Sequence, residues 1–138
     1  MVKFIVVSGP DRAGKGTLIQ EIHKQTKFAH SVMDRGPVCY SVFVEYYNRD
    51  LKLIDEAMEI DKGMSNVKDA TLIYVTANTD DLIQRCIDTD HEVLDYDYQK
   101  GLYDKYFAKS NFKNKLSINT STENIEDVIS KWIEEGKL

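Results

Sequence analysis

The residues best suited to chemistry lie in one short stretch, 9-GPDRAGKGT-17. Gly9 and Gly14 permit backbone angles that a side chain would hinder. An apolar, β-branched run, Lys3–Ser8, leads into the loop, and Leu18, Ile19 and Ile22 recur at helical spacing after it. A glycine-rich turn between a strand and a helix N-terminus is an anion site. The backbone N–H groups of Ala13, Gly14, Gly16 and Thr17 can turn inward, and the helix dipole favours negative charge. Lys15 adds a mobile point charge that can reach the outer phosphates of a nucleoside triphosphate. The strict loop pattern G-x-x-x-x-G-K-[ST] fails at one place, because Gly16 stands where a hydroxyl is usual. That removes one usual Mg²⁺ ligand and leaves the phosphate cradle. Thr17 offers a hydroxyl one residue later, and Mg²⁺ accepts few protein ligands because it keeps several waters.

The elements that must position this loop follow from the hydrophobic pattern. Lys3–Ser8 fits a strand buried on both faces. His30–Asp34 predicts a second short strand, and Pro37 starts a helix over 38–50 whose apolar residues are too dense for one clean face. Tyr40, Phe43 and Tyr47 share a face there and read as core more readily than as a platform for a base. Leu51, Ile54, Ala57 and Met58 predict a helix ending near Gly63. Ala70–Val75 is a strand, and Thr79 followed by Asp80 and Asp81 opens a helix carrying Leu82, Ile83, Cys86 and Ile87. Leu94, Tyr98, Leu102 and Tyr106 step every four residues along another helix, and Leu116–Asn119 is the last strand. Thr120 and Glu123 form a capping-box pattern before the amphipathic helix of Ile125, Val128, Ile129, Trp132 and Ile133, stopped at Gly136.

Strands alternating with helices imply an α/β fold of three layers, αβα, around a short parallel sheet of about four strands. Ligands of such sheets bind beyond the carboxyl ends of the strands, where both the loop and the pair Asp34-Arg35 fall. The 138 residues suit a single domain over 1–138, and the apolar and charged fractions, 42% and 30%, are ordinary for a globular chain. A net charge of −5 argues against a duplex DNA or RNA partner. Cys39 and Cys86 lack metal or redox spacing and read as free thiols of a reducing, cytoplasmic compartment. No apolar run approaches membrane-spanning length and no signal peptide is evident, so no membrane partner is expected. His23, His30 and His91 have no ligand spacing and read as structural or solvated.

The chain resembles the P-loop nucleoside and nucleotide kinases. The ending GKGT is similar to adenylate kinases, and the whole of PDRAGKGT is closer still to the thymidylate kinase loop that carries Asp-Arg inside it. The likeness recurs at 33-MDRGP-37, at Arg85 followed by His91-Glu92, and at 117-SINTSTENIEDVISKW-132. It implies that Arg12 stabilises charge on the transferring phosphoryl group, as an arginine finger within the chain. Family members with that loop arginine carry no catalytic arginine in the lid, and the lid segment 88–97 has none. The resemblance further implies that Asp11 meets the acceptor's sugar hydroxyl, that Asp34 holds Mg²⁺ through water, and that Arg35 binds the acceptor's phosphate. Arg85 would lie on the adenine of ATP, with the turn of Asn119, Thr120 and Ser121 on its other side.

The chain also departs from the family. Sixteen residues, 18–33, separate Thr17 from Asp34. One helix and one short strand use them up, since a crossover takes at least about 10–12 residues. The family places a further strand and helices there, with an aromatic for the acceptor base and an arginine for its phosphate. Phe43-Val44 stands where thymidylate kinases use Tyr-Gln. The helix 38–50, with its aromatics and Arg49, is the best internal substitute, and a partner subunit in a homodimer is the other way to complete the pocket. The missing strand usually supplies the base that deprotonates a sugar hydroxyl, whereas an acceptor that is already a phosphate needs none. The expectation is therefore transfer of the ATP γ-phosphate to a (deoxy)nucleoside monophosphate with Mg²⁺. A deoxynucleoside kinase using a 5′-hydroxyl and a non-catalytic nucleotide-binding regulator are the alternatives.

Overall fold

The computed structural model describes residues 2–138. Four strands, β1 (Phe4–Ser8), β2 (Ser31–Asp34), β3 (Thr71–Thr76) and β4 (Asn114–Asn119), form one sheet. All pairs are parallel and the order is β2-β1-β3-β4. Six helices connect or follow them: α1 (Lys15–Thr26), α2 (Pro37–Tyr46), α3 (Lys52–Ser65), α4 (Thr79–Asp88), α5 (Tyr96–Lys109) and α6 (Ile125–Glu134).

The period of two along the strands sorts the core into two halves. Ile5, Val7, Ile73 and Val75 face Leu18 and Ile22 of α1, Leu82 and Cys86 of α4, and Ile129 and Trp132 of α6. Val6, Leu72 and Tyr74 point the other way, toward α2, α3 and α5. This is the expected three-layer αβα arrangement of P-loop type, with both faces of the sheet covered. The central strands β1 and β3 are apolar for that reason, whereas β2 and β4 border the sheet and carry polar residues. Among the described residues no helix is long and apolar enough to cross a membrane.

Several local expectations shift. The helix after Pro37 ends at Tyr46 rather than Asp50, because Asn48 turns left-handed at φ 53°. Its core face is Val38, Cys39 and Val42, while Tyr40 and Tyr47 are 46% and 48% exposed, so those aromatics are surface rather than core. Gly63 lies inside α3, which continues to Ser65. As expected, α4 opens at Thr79, whose hydroxyl donates to Asp97 Oδ1 at 2.5 Å. The buried face of α5 is Tyr96, Gln99, Leu102, Tyr103 and Tyr106, with Leu94 outside the helix and Tyr98 exposed. The capping box does not form. Asn124 caps α6 by accepting from Asp127 N, and Thr120 and Glu123 serve the functional loops described below.

Two carboxylates tie helices together. Asp61 of α3 is fully buried, and its Oδ1 accepts from Ser110 Oγ at 2.6 Å. Its Oδ2 accepts from Asn111 N at 2.6 Å and from Asn111 Nδ2 at 3.1 Å. Asp61→Ala strands these donors and should cost about 2–4 kcal/mol of stability, read by urea unfolding at neutral pH. A loss below about 0.5 kcal/mol, the range of an ordinary surface change, contradicts the anchoring role.

Glu45 of α2 accepts from Lys105 Nζ at 2.8 Å and Tyr106 Oη at 2.5 Å, both on α5. The Lys105 bond first, then the Tyr106 bond, holds its carboxyl below the ordinary 4.5. A lowered folded-state pKa gives stability that is present above pH 4.5 and lost as pH falls through the folded value. Glu45→Gln should therefore be less stable than wild type at pH 7, and the gap should close on acidification below 4.5. Paired melts from pH 7 to pH 3 check this, and a pH-independent gap contradicts it.

Candidate functional site

β1 delivers the loop to the carboxyl edge of the sheet. Gly9, at φ 151°, passes so close to β3 that a Cβ there would sit 2.0 Å from Val75 O. No other residue fits without moving the backbone. The chain then turns through Arg12, at φ 72°, and Gly14, at φ 108°, and enters α1 at Lys15. No side chain caps α1 at Gly14, so its first-turn N–H groups face the cleft without a side-chain acceptor. Lys15 folds back into the loop and is buried. Its Nζ donates to Gly9 O at 2.9 Å and Pro10 O at 3.2 Å, and lies 3.7 Å from Asp11 Oδ1.

The outside of the loop is pinned by its carbonyls. Arg85 Nη1 of α4 donates to Arg12 O at 2.8 Å and to Thr120 Oγ1 at 3.2 Å. Thr120 Oγ1 in turn donates to Ala13 O at 2.6 Å. In a trans peptide the C=O and the following N–H point opposite ways. Tying Ala13 O outward therefore aims the Gly14 N–H inward. Asn119 stays behind this layer. Its Nδ2 donates to Asn78 Oδ1 at 3.1 Å and its Oδ1 accepts from Ser121 N at 2.9 Å, so it joins the end of β4 to the start of α4. Glu123 Oε1 accepts from Asn119 N at 3.0 Å and fixes the same turn.

The result is a cleft of about 980 Å³ at the carboxyl end of the sheet. Of the residues singled out in the sequence, Asp11, Arg12, Ala13, Gly14, Lys15, Gly16, Thr17, Asp34, Arg35, Arg85 and Thr120 line it. Gly9 and Asn119 support it from behind. Arg35 arrives with its backbone N–H bonded to Val7 O at 2.8 Å and φ at 71°. Its Nη2 donates to Asp11 Oδ1 at 2.9 Å, and its Cζ stands 5.7 Å from the Phe43 ring centroid. Glu21, Glu123 and Glu126 form an acidic rim.

Arg12 reaches toward the segment 88–97 and donates through Nη2 to His91 Nε2. A guanidinium only donates, so Nε2 must be the unprotonated nitrogen. The other nitrogen, Nδ1, then carries the hydrogen and donates to Thr89 Oγ1 at 2.9 Å, whose own hydroxyl donates to Arg85 O at 2.7 Å. His91 is thus a tether for Arg12, a role its lone position in the sequence did not signal.

The phenols near the loop carry no base. Burial raises Tyr96 well above its ordinary value, helped by its contact with Cys86. Burial does the same for Tyr103, beside Cys39. Both stay protonated at neutral pH.

Arg35 also borders a second groove of about 510 Å³ between α2 and α3. Tyr40 and Phe43 form one wall, and Glu56, Ile60 and Met64 the other. The α3 wall was not read as part of any site in the sequence, although 56, 60 and 64 step by four along one helical face.

No protein-family model matches the chain, and no curated protein matches it. Among solved structures it is similar to the YorR protein of Bacillus subtilis, solved in complex with phosphorylated GDP. The TM-score is 0.74 over 98% of this chain and 96% of that one, at 15% identity. The two chains share a fold.

Proposed function

We propose that this chain is a phosphotransferase that moves the γ-phosphate of ATP to a (deoxy)nucleoside monophosphate. The observation that carries the reading is the loop itself. Its carbonyls are tied outward by Arg85 and Thr120, Lys15 lies in its hollow, and the uncapped start of α1 closes it. Such an array of N–H groups and one ammonium is built for the phosphates of a nucleotide. That the YorR protein holds phosphorylated GDP on the same fold supports a nucleotide as the ligand here.

The placement of the residues supports the following roles. Lys15 and the first-turn N–H groups hold the triphosphate. Arg12, on the loop, meets the charge that spreads over the transferring phosphoryl oxygens. Arg35, across the cleft, holds the phosphate of the acceptor, and its bond to Asp11 keeps both at that mouth. Thr17 and Asp34 line the same cleft, and Asp34 makes no side-chain hydrogen bond or ion pair among the described residues. Their hard oxygens fit Mg²⁺, which takes few protein ligands, consistent with no cluster of three or more metal-ligating side chains among the described residues. When bound with the nucleotide, the ion neutralises charge on the β and γ oxygens. No residue in the cleft needs to act as a base, since a phosphate acceptor has no proton to surrender, and the nearby phenols are held neutral.

The test is ADP release from ATP with Mg²⁺ against a panel of nucleosides and nucleoside monophosphates. Release driven by monophosphates alone is expected. Release driven by nucleosides replaces this reading with a nucleoside kinase. ATP binding with no release by any acceptor leaves a non-catalytic nucleotide-binding protein.

A further inference from the structure

We propose that the groove between α2 and α3 seats the base of the acceptor and that Glu56 selects guanine. The inference rests on the phosphoryl-transfer reading and specifies its substrate. Arg35 borders both the phosphate cleft and this groove, so a nucleotide whose phosphate meets Arg35 can set its base in the groove. The groove has the right surface for a base. Tyr40 and Phe43 line one side with aromatic rings, Ile60 and Met64 offer apolar contact on the other, and buried Cys39 and Ala57 form the floor. Base–aromatic stacking accepts any base, so it gives affinity without selection.

Selection needs a polar group, and among the described residues Glu56 is the only charged side chain in the groove besides Arg35. It has no hydrogen bond or ion pair among the described residues and does not pair with Arg35. An ionised carboxylate only accepts, through two oxygens side by side. Guanine alone offers two adjacent donors on its pairing edge, the ring N1–H and the exocyclic amino group. Adenine and cytosine set their amino donor beside a ring nitrogen that accepts, which a carboxylate repels. Thymine and uracil set one N–H between two carbonyls, which repel it twice. The amino groups of adenine and cytosine can make one bond to Glu56 and guanine can make two.

The experiment measures kcat/KM for GMP, AMP, CMP and UMP, with their deoxy forms and dTMP, in wild type, Glu56→Gln and Glu59→Gln. Calorimetric binding of each monophosphate runs beside it. Wild type should prefer GMP or dGMP by roughly 10–100-fold, the discrimination of one good bidentate contact. Glu56→Gln should bring that ratio close to one, because an amide presents a donor where a second acceptor is needed. Glu59→Gln, on an exposed face of the same helix and outside the groove, should keep the wild-type ratio. Binding of a fluorescent ATP analogue reports the phosphate loop separately and should not distinguish the three proteins. Preference for another base, or a guanine preference that survives Glu56→Gln, overturns the assignment while leaving the kinase intact. A protein that neither binds nor phosphorylates any monophosphate, yet binds ATP, removes the acceptor reading with it. A concentration-dependent dimer that loses its interface on Tyr40→Glu, with no monophosphate binding, assigns the groove to a second copy and likewise overturns the proposal.

Discussion

Arg12→Ala should lower kcat by roughly 10²–10⁴, within and just below the range of arginine fingers. In the transition state the phosphoryl group spreads negative charge over its equatorial oxygens, and something positive besides Lys15 must meet it. The segment 88–97 carries no arginine. Arg85 is committed to Arg12 O and Thr120, and Arg35 to Asp11 at the mouth of the cleft. Arg12 alone is both on the loop and held by an exchangeable partner, the His91 ring. Moving from an imidazole to a phosphoryl oxygen trades a neutral acceptor for a charged one, so the substrate wins that competition. ATP affinity should change far less than kcat, because backbone N–H groups carry ground-state binding. Arg12→Lys should recover part of the rate, since an ammonium lacks the planar fork. Single-turnover chemistry at saturating ATP decides the matter. If Arg12→Ala turns over at close to the wild-type rate, the loop arginine has no catalytic role and the thymidylate-kinase-like mechanism falls.

Lys15→Ala should reduce turnover by at least about 10³-fold, in line with losing a preorganised charge at the reacting phosphate, and should weaken ATP binding as well. The two losses separate it from Arg12, whose absence is felt mainly in the rate. Lys15 is nearly enclosed, yet its ammonium meets only groups of the loop itself, the carbonyls of Gly9 and Pro10 and, at 3.7 Å, Asp11 Oδ1. Those bonds hold the hollow open-handed for phosphate and do not join the core, which lies beneath in Ile5, Val7 and Leu18. The variant should therefore melt within a few degrees of wild type. A fluorescent ATP analogue that binds both proteins equally would falsify the phosphate-loop assignment. A large drop in melting temperature would show instead that the lysine supports the fold.

The sequence alone determined the sheet, the loop and the sidedness of the site. β1 and β3 are continuous apolar runs, the pattern that suits an inner strand of a parallel sheet with helices above and below. Gly9 and Gly14 could be assigned to backbone needs because those needs are local: one is a close pass, the other a left-handed turn before a helix. Asp34 and Arg35 were placed at a strand end by chain order alone.

The tertiary structure decided what local pattern leaves free. Thr120 and Glu123 have the spacing of a capping box, yet their oxygens are spent on Ala13 and Asn119, because a fixed tertiary partner outbids a helix end three residues away. His91 read as structural or solvated, and its ring turned out to tether Arg12, 79 positions away in the chain. The aromatics of α2 looked like core, but α3 crosses so that Val38, Cys39 and Val42 fill the interior and Tyr40 is left on the rim of a groove. Hydrophobicity tells which residues avoid water; it does not tell which of two apolar faces a neighbouring helix will cover. That choice is made by packing, and it decides whether Glu56 and Tyr40 belong to a surface or to a site.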